Sequence, residues 1–546
     1  MTGRAIRAGF ALTLVAMMSA ARPHTQELGR ITFPTSGAAA AQDAFLEGVK
    51  SLHSFQFDEA AEAFRRAQTT DPSFALAYWG EAMSYNHPLW AQQDTEAAKK
   101  ALEKIAPTLE ARLDRVRLPK EKALLEAADV LFSSPGDKLA RDTAYADRMA
   151  EMHAKWPDDH EIATFYALSL LGTVRPGDTG FRRQALAASV AQKVYQENPK
   201  HPGAAHFIIH AFDDPDHAPL GLPAARAYAG IAPAAAHALH MPSHIFVQLG
   251  MWQDVVTSNV AAYKAAVDVN ARLKLAEGRE DFHTLSWLEY GNLMLGKTDD
   301  AKQNLELAKQ TMERNPSSQP IRNGYLGMRA RYILETAEWE KISLDSASSP
   351  RSGDAHGAMP GMAMSSYDGS TTWTFIAGVS AAMMGDHAAS ETAATRLGEA
   401  RQKSEAGGNA YAAKAVAIME KEVAAASRLA KGEKEAAVKL AKEAVDIELT
   451  MNAPSGPPEP IKPALELYGE MLLAAERPAE AMGVFEQSLR RTPKRTPSLL
   501  GLARAAVKAG KIATARQAYQ DLASMAGARA QSPAVIEAQK FLKSSE

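Results

Sequence analysis

The feature that most constrains this 546-residue chain is a recurring pattern of small residues placed where two helices must touch. Residues 44–72 read AFLEGVKSLHSFQFDEAAEAFRRAQTTDP, two amphipathic helices in which Gly48 faces Ala60, followed by Phe64, Ala67 and a closing Pro72. Small side chains let paired backbones approach. Proline ends the second helix because it lacks an N–H and its ring collides with the preceding turn. Near the other end Leu465, Gly469, Ala481, Phe485 and Pro493 hold the same places, and Leu499, Ala503, Ala515 and Tyr519 repeat them 34 residues on. A looser unit spans 285–308, with Ala301 and Leu305. Such units cannot bury their apolar faces alone and must stack on their neighbours. The expected fold is therefore all-α, an α-solenoid of helix pairs.

Composition agrees. Clusters of β-branched residues are scarce and no segment sustains the period-2 alternation of a half-buried strand, so no strands are expected. The net charge is −3, with no basic stripe interleaved with aromatics, which argues against nucleic acid as a partner. At the N-terminus Arg4 and Arg7 precede an apolar run over 8–18 and the small residues Ser19, Ala20 and Ala21, the pattern of a signal peptide over 1–21. That run is shorter than the ~20 apolar residues a membrane span needs, and no later segment qualifies, so no transmembrane segment is expected. The chain has no cysteine, hence no disulfide and no thiolate ligand. The expected location is periplasmic or secreted.

Residues 22–40 read as an N-terminal extension and 41–342 as a first lobe with histidine-rich repeats over 201–250. The helix-pair rhythm drifts inside it: long charged helices over 94–134, a further helix over 137–157, and an insertion, LGTVRPGDTGF, in the pair over 160–198. Residues 343–370 are rich in Ser, Gly and Met and read as a flexible loop. A second lobe follows over 371–546, with a stiff proline-rich connector, PSGPPEPIKP, at 454–463.

These units resemble the tetratricopeptide repeat, strongly over 41–92 and 461–528 and loosely between. The stretches HPGAAHFIIHAFDDP, ALHMPSHIFVQLGMW and GPPEPIKPALELYGEMLL are similar to those of large exported bacterial tetratricopeptide proteins. The resemblance implies a fold and a habit of holding a protein or peptide in the concave groove of the array. It implies no reaction.

Two copies of one frame, His206-x-x-x-His210 and His240-x-x-x-His244, lie 34 residues apart, and residues 201–244 hold seven of the chain's 15 histidines. On a helix, side chains at i and i+4 share a face. The register that buries Leu465 and Gly469 leaves Glu466 and Glu470 on the neighbouring stripe, which in tetratricopeptide arrays looks into the groove. The same register buries Ala205 with Ile209 and Leu239 with Ser243, turning His206, His210, His240 and His244 inward. His237 lies on that stripe, Asp213 and Asp214 continue it, and the next repeat offers His283, Ser286 and Tyr290. Neutral imidazole is a common ligand for zinc, copper and nickel, and a carboxylate behind it completes the site. A divalent transition metal is thus the candidate cofactor, with His206, His210, His240 and His244 as ligands and His237, His283, Asp213 and Asp214 as further groups. The leading reading is a protein- or peptide-binding groove whose histidines meet only hydrogen-bond partners, with periplasmic binding or transfer of copper, zinc or nickel as the alternative. His201 and His217 are expected to be cap and turn residues, and Pro242 to kink any helix that runs over 234–248.

By the same register Trp79 and Met83 face the groove with Asn86 and His87 beyond them, Glu161 extends that wall, and Tyr290, Glu466 and Glu470 complete a partner-binding set. The tract HGAMPGMAM, with His356, Met359, Met362 and Met364, resembles the thioether-rich tracts of extracytoplasmic copper proteins. HFIIH and HMPSH place Phe207 and Met241 where the zincin frame needs its general-base glutamate, so metalloprotease chemistry is not supported. No nucleophile elbow or phosphate loop is present. The chain reads as a binding protein rather than an enzyme.

Overall fold

The computed structural model describes residues 27–178, 180–344, 369–526 and 532–544. Helix follows helix over nearly all of them, and each packs chiefly on the next in sequence, the signature of a solenoid. At both ends the small residues admit a phenylalanine ring, so Gly48, expected against Ala60, meets Phe64. Phe64, on the helix Phe57–Thr70, lies between Gly48 and Gly80, whose added Cβ atoms would come within 2.7 and 2.3 Å of its ring. Phe485, on the helix Pro478–Arg491, lies between Gly469 and Gly501, with the same 2.7 and 2.3 Å. The two triplets share one spacing, so one phenylalanine locks three successive helices.

Three details differ from expectation. The charged region divides into the helices Thr95–Glu103, Leu109–Asp114 and Pro119–Ser133. A short antiparallel pair, Asn86–His87 against Gln92–Gln93, stands where no strand was expected; it is closed by the turn Pro88–Trp90 and a left-handed Ala91. Packing also runs through the expected lobe boundary. The helix Gln319–Thr336 packs on Gly369–Met383, and Ala330 and Ile333 share a core with Trp373, Phe375 and Ile376. The expected signal peptide, most of the Ser/Gly/Met-rich loop and the His356, Met359, Met362 and Met364 tract lie outside the described residues. No helix among those described is long and apolar enough to cross a membrane.

The array coils back on itself, and this positions the histidines. Asp58 and Glu59 of the first repeat meet Arg279 and Arg272. The N-terminal extension lies along 200–234, with Arg30 N–H donating to the Lys200 carbonyl at 2.8 Å and Glu27 accepting from Ala234 at 3.3 Å. From the other side the connector and the repeat after it return. Gln248 donates to the Pro454 carbonyl at 2.7 Å, Trp252 Nε1 to Lys494 at 2.9 Å, and Thr496 to Met294 at 2.5 Å. Arg495 seals this closure. Only 1% exposed, it reaches Glu466 at 2.9 Å, Glu335 at 2.5 Å and the Tyr290 hydroxyl at 3.2 Å.

Candidate metal centre

His206 and His210 lie on the helix Pro202–Ala211. Pro202 opens it at a position where a missing N–H costs nothing, and His201 caps it, its Nδ1 accepting from Ala204 N–H at 3.2 Å. This helix has almost no polar residue besides histidine, and a helix apolar all round belongs in the interior. His237 and His240 lie on the short helix Ala236–His240, and His244 on Pro242–Gln248. Pro242 breaks the helix here, as its lost N–H requires. Met241 keeps helical angles across the break, however, and His244 remains against His240. His283 comes from the helix Glu280–Met294.

These rings form two groups, His206, His210 and His237, and His240, His244 and His283; within each, one ligand atom per residue lies within 4.8 Å of the others. Hydrogen bonds on the far side of the rings assign the protons. His206 Nδ1 is 2.6 Å from the His53 carbonyl, which can only accept, so Nδ1 carries the hydrogen. His244 Nδ1 donates to Asp213 Oδ2 at 2.6 Å. His240 Nδ1 donates to Asn259 Oδ1 at 2.7 Å, an oxygen fixed in place because the Asn259 amide donates to the Val255 carbonyl at 2.8 Å. In the neutral rings Nε2 is then a bare lone pair on all three. Burial, reinforced by neighbouring imidazoles, pushes His206, His210 and His240 well below the usual histidine range and keeps them neutral.

The Nε2 atoms face one another: His206 and His210 at 3.0 Å, His240 and His283 at 2.9 Å, His240 and His244 at 3.3 Å. The first two contacts can each hold a hydrogen from His210 or His283. The third cannot while His240 and His244 are neutral, because both have their hydrogen on Nδ1. A second hydrogen on either ring, or a metal ion between them, would satisfy the two facing nitrogens. In the second group a carboxylate and an amide hold two of the three converging imidazoles from behind, and in the first a carbonyl holds one, an arrangement that suits transition-metal ligands. Asp213 is itself steadied by Gln248 at 3.3 Å.

Aromatic rings enclose both groups. Phe55, held in a left-handed turn at φ 53°, lies with its ring centroid 4.4 Å from His206, 5.4 Å from His237 and 5.6 Å from His210. Tyr228 stacks on His206 at 5.1 Å. Trp287 lies 4.4 Å from His244 and 4.9 Å from His240, and Gly456 of the proline-rich connector packs on it. A third group, His53, Glu161 and His201, is buried nearby and is held together by its own hydrogen bonds. Glu161 accepts from His53 at 2.7 Å and from His201 at 3.1 Å; burial works to raise its carboxyl, but these two partners hold it at about 2.

Several expectations need correction. The four histidines do not line an open groove, because the coil folds the first repeat and the connector over them; His206 and His240 are fully buried. Asp214 pairs with His217, at 2.8 Å, and not with the cluster. Trp79, 1% exposed, packs edge-on to Phe33 and Phe165 in the core, with Met83 buried beside it. Asn86 is buried and His87 stacks on Phe57 at 4.0 Å. Tyr290 and Glu466 are held by Arg495, and Glu161 by its two histidines, so none of them walls a groove. Glu470, bonded to Lys462 at 2.6 Å, keeps 41% of its side chain exposed. Phe55, His53 and Asn259 carry no local signal in the sequence; Trp287, one turn after His283, does.

The tetratricopeptide-repeat family pattern matches residues 472–532. No curated protein matches the chain. Among solved structures, a human IFIT1 dimer with m7Gppp-AAAA is 12% identical, covering 91% of this chain and 92% of its own, at a TM-score of 0.31. Yeast Tom70 is 11% identical, covering 93% and 96%, at 0.28, and the P58(IPK) TPR domain is 12% identical, covering 93% and 99%, at 0.21. Superpositions at these scores carry no argument for function. Residues 472–532 thus carry the tetratricopeptide-repeat pattern, and the Gly–Phe–Gly lock seen beside them at Phe485 recurs at the N-terminal end around Phe64.

Proposed function

We propose that this chain binds transition-metal ions at its two three-histidine groups. The observation that carries the reading is the meeting of His240 and His244 Nε2 at 3.3 Å, with both hydrogens committed to Asn259 and Asp213. Convergence of His283 on the same atom favours a metal ion over a shared proton. The test is metal analysis of the purified full chain after reconstitution, beside His206→Ala with His240→Ala. Stoichiometric metal in the parent and its loss in the folded double variant support the reading. Less than a tenth of an equivalent of copper, zinc or nickel in the parent sinks it.

Tetratricopeptide scaffolds also hold proteins, and on the surface of the C-terminal repeats Ile512 and Ile536 are each about half exposed. A protein partner is the second reading, on this outer surface rather than on the histidine stripe. Metal binding outside the cytoplasm would suit ligands that need no thiol.

A further inference from the structure

We infer that Glu161, which belongs to neither three-histidine group, is a positioning residue for the first of them: its carboxylate ties the helix that carries His206 to the carbonyl that holds the His206 ring. This rests on the metal reading above. The connection closes on itself. His206 Nδ1 donates at 2.6 Å to the main-chain carbonyl of His53, the last residue of the helix Ala39–His53. The final carbonyls of a helix have no partner within it and carry partial negative charge, so this one does for His206 what the Asp213 carboxylate does for His244. The two residues lie 153 positions apart in the chain, so something must bring the helix end to the ring.

The His53 side chain does this. Its Nε2–H donates to Glu161 Oε2 at 2.7 Å, since an ionised carboxylate can only accept. The other oxygen, Oε1, accepts from His201 Nε2 at 3.1 Å. His201 in turn caps the helix Pro202–Ala211, its Nδ1 accepting from Ala204 N–H. One carboxylate thus grips the acceptor through His53 and the ligand-bearing helix through His201, and the gap it sets between them is the His206 hydrogen bond.

The circuit has no slack. All three side chains are fully buried, and a Cβ on Gly203 would come within 2.6 Å of His53 Nδ1 and 2.7 Å of Thr164. Phe55, two residues past His53, covers His206, His210 and His237, so the pinned helix end sets the aromatic cover together with the hydrogen bond. In the second group Asn259 and Asp213 hold His240 and His244 instead, and Glu161 bears on the first group alone. An ionised carboxylate in the interior is a costly way to join helices that apolar packing joins at Phe64 and Phe485. What it adds is direction: each oxygen takes one N–H, which orients both imidazoles and with them their main chains.

The test titrates the purified full chain with zinc(II), nickel(II) and copper(II) in turn, each against a chromophoric chelator. His283→Gln and His210→Gln serve as backgrounds in which only the first or only the second group keeps all its ligands. Glu161→Leu should weaken the ion of the first group about tenfold or more and that of the second by less than about threefold. Glu161→Gln should restore the first to within about threefold of the parent. Its oxygen accepts from His201 while its amide donates to His53, whose hydrogen moves to Nδ1, an atom with no hydrogen-bond partner among the described residues. His201→Asn serves if Glu161→Leu does not fold: asparagine keeps the helix cap but is too short to reach Glu161, and the first ion should weaken in the same way. Unchanged affinity at the first group, equal weakening at both, or a Gln variant as weak as the Leu variant overturns the positioning role and leaves the metal sites standing. A parent that takes up none of the three metals overturns the metal reading and this inference with it.

Discussion

Removing the charge of Asp213 while keeping its shape, Asp213→Asn, isolates what the carboxylate behind His244 does. Its Oδ2 lies 2.6 Å from His244 Nδ1. With the ring between them and a metal–nitrogen bond of about 2 Å, an ion on Nε2 sits about 7 Å from the carboxylate. At an effective dielectric of about 20, one unit of metal charge then interacts with it by about 2.4 kcal/mol. Loss of a carboxylate behind a ligand histidine ordinarily weakens metal binding by about 10–100-fold, or about 1.4–2.7 kcal/mol, so the two lines agree. The assay is competition against a chromophoric chelator of known affinity, which resolves the tighter and the weaker ion. The ion held by His240, His244 and His283 should weaken by that factor and the other much less. Asp214→Asn is the control, since that carboxylate serves His217 and should leave both affinities alone. Equal weakening of both ions, an effect below about threefold, or the same loss from Asp214→Asn would refute the assignment.

The remaining predictions concern the scaffold around the site. Gly456→Ala would bring a Cβ within 2.6 Å of Trp287, displacing the ring that packs on His240 and His244; weaker metal binding with an unchanged helical spectrum is expected, and unchanged affinity would mean that Trp287 does not position these rings. Gly501→Ala puts a Cβ 2.3 Å from the buried Phe485 ring and should cost about 1–3 kcal/mol by urea unfolding, whereas Gly483→Ala, with nothing within 4 Å, should cost little; equal effects would refute the lock. Arg495→Met leaves Glu335 buried without its cation and Glu466 with Lys462 alone, and should cost about 3–5 kcal/mol, read as earlier unfolding of the closure by hydrogen exchange; a loss under about 1 kcal/mol counts against it. Burial would raise the Glu466 carboxyl from its ordinary 4.5, but Arg495 and Lys462 outweigh burial and hold it at about 2. The unfolded chain therefore takes up this proton first. The stability it lends is complete above about pH 4.5 and is lost as pH falls toward 2, and a Glu466→Gln variant should show a shallower acid decline.

The solenoid was legible in the chain because its causes are local. Gly48 and Gly469 lie at contacts between helices adjacent in sequence, so spacing alone marks them as small positions, although the structure sets Phe64 and Phe485, not Ala60, against them. The i, i+4 histidine frames were legible for the same reason, since a helix sets that geometry by itself. Even the burial of His206 had a trace, in a helix with no polar face. The sequence by itself thus determined an all-α array and which imidazoles share a face. It could not say that Phe55 covers His206, that Asn259 and Asp213 hold the hydrogens of His240 and His244, or that Gly456 backs Trp287. Those pairings join residues far apart along the chain, and they depend on how far the superhelix turns per repeat. That small angle is summed over many helix pairs and set by packing throughout the chain. Only the tertiary structure decided it, and with it the change from an open stripe of histidines to an enclosed pair of three-nitrogen clusters.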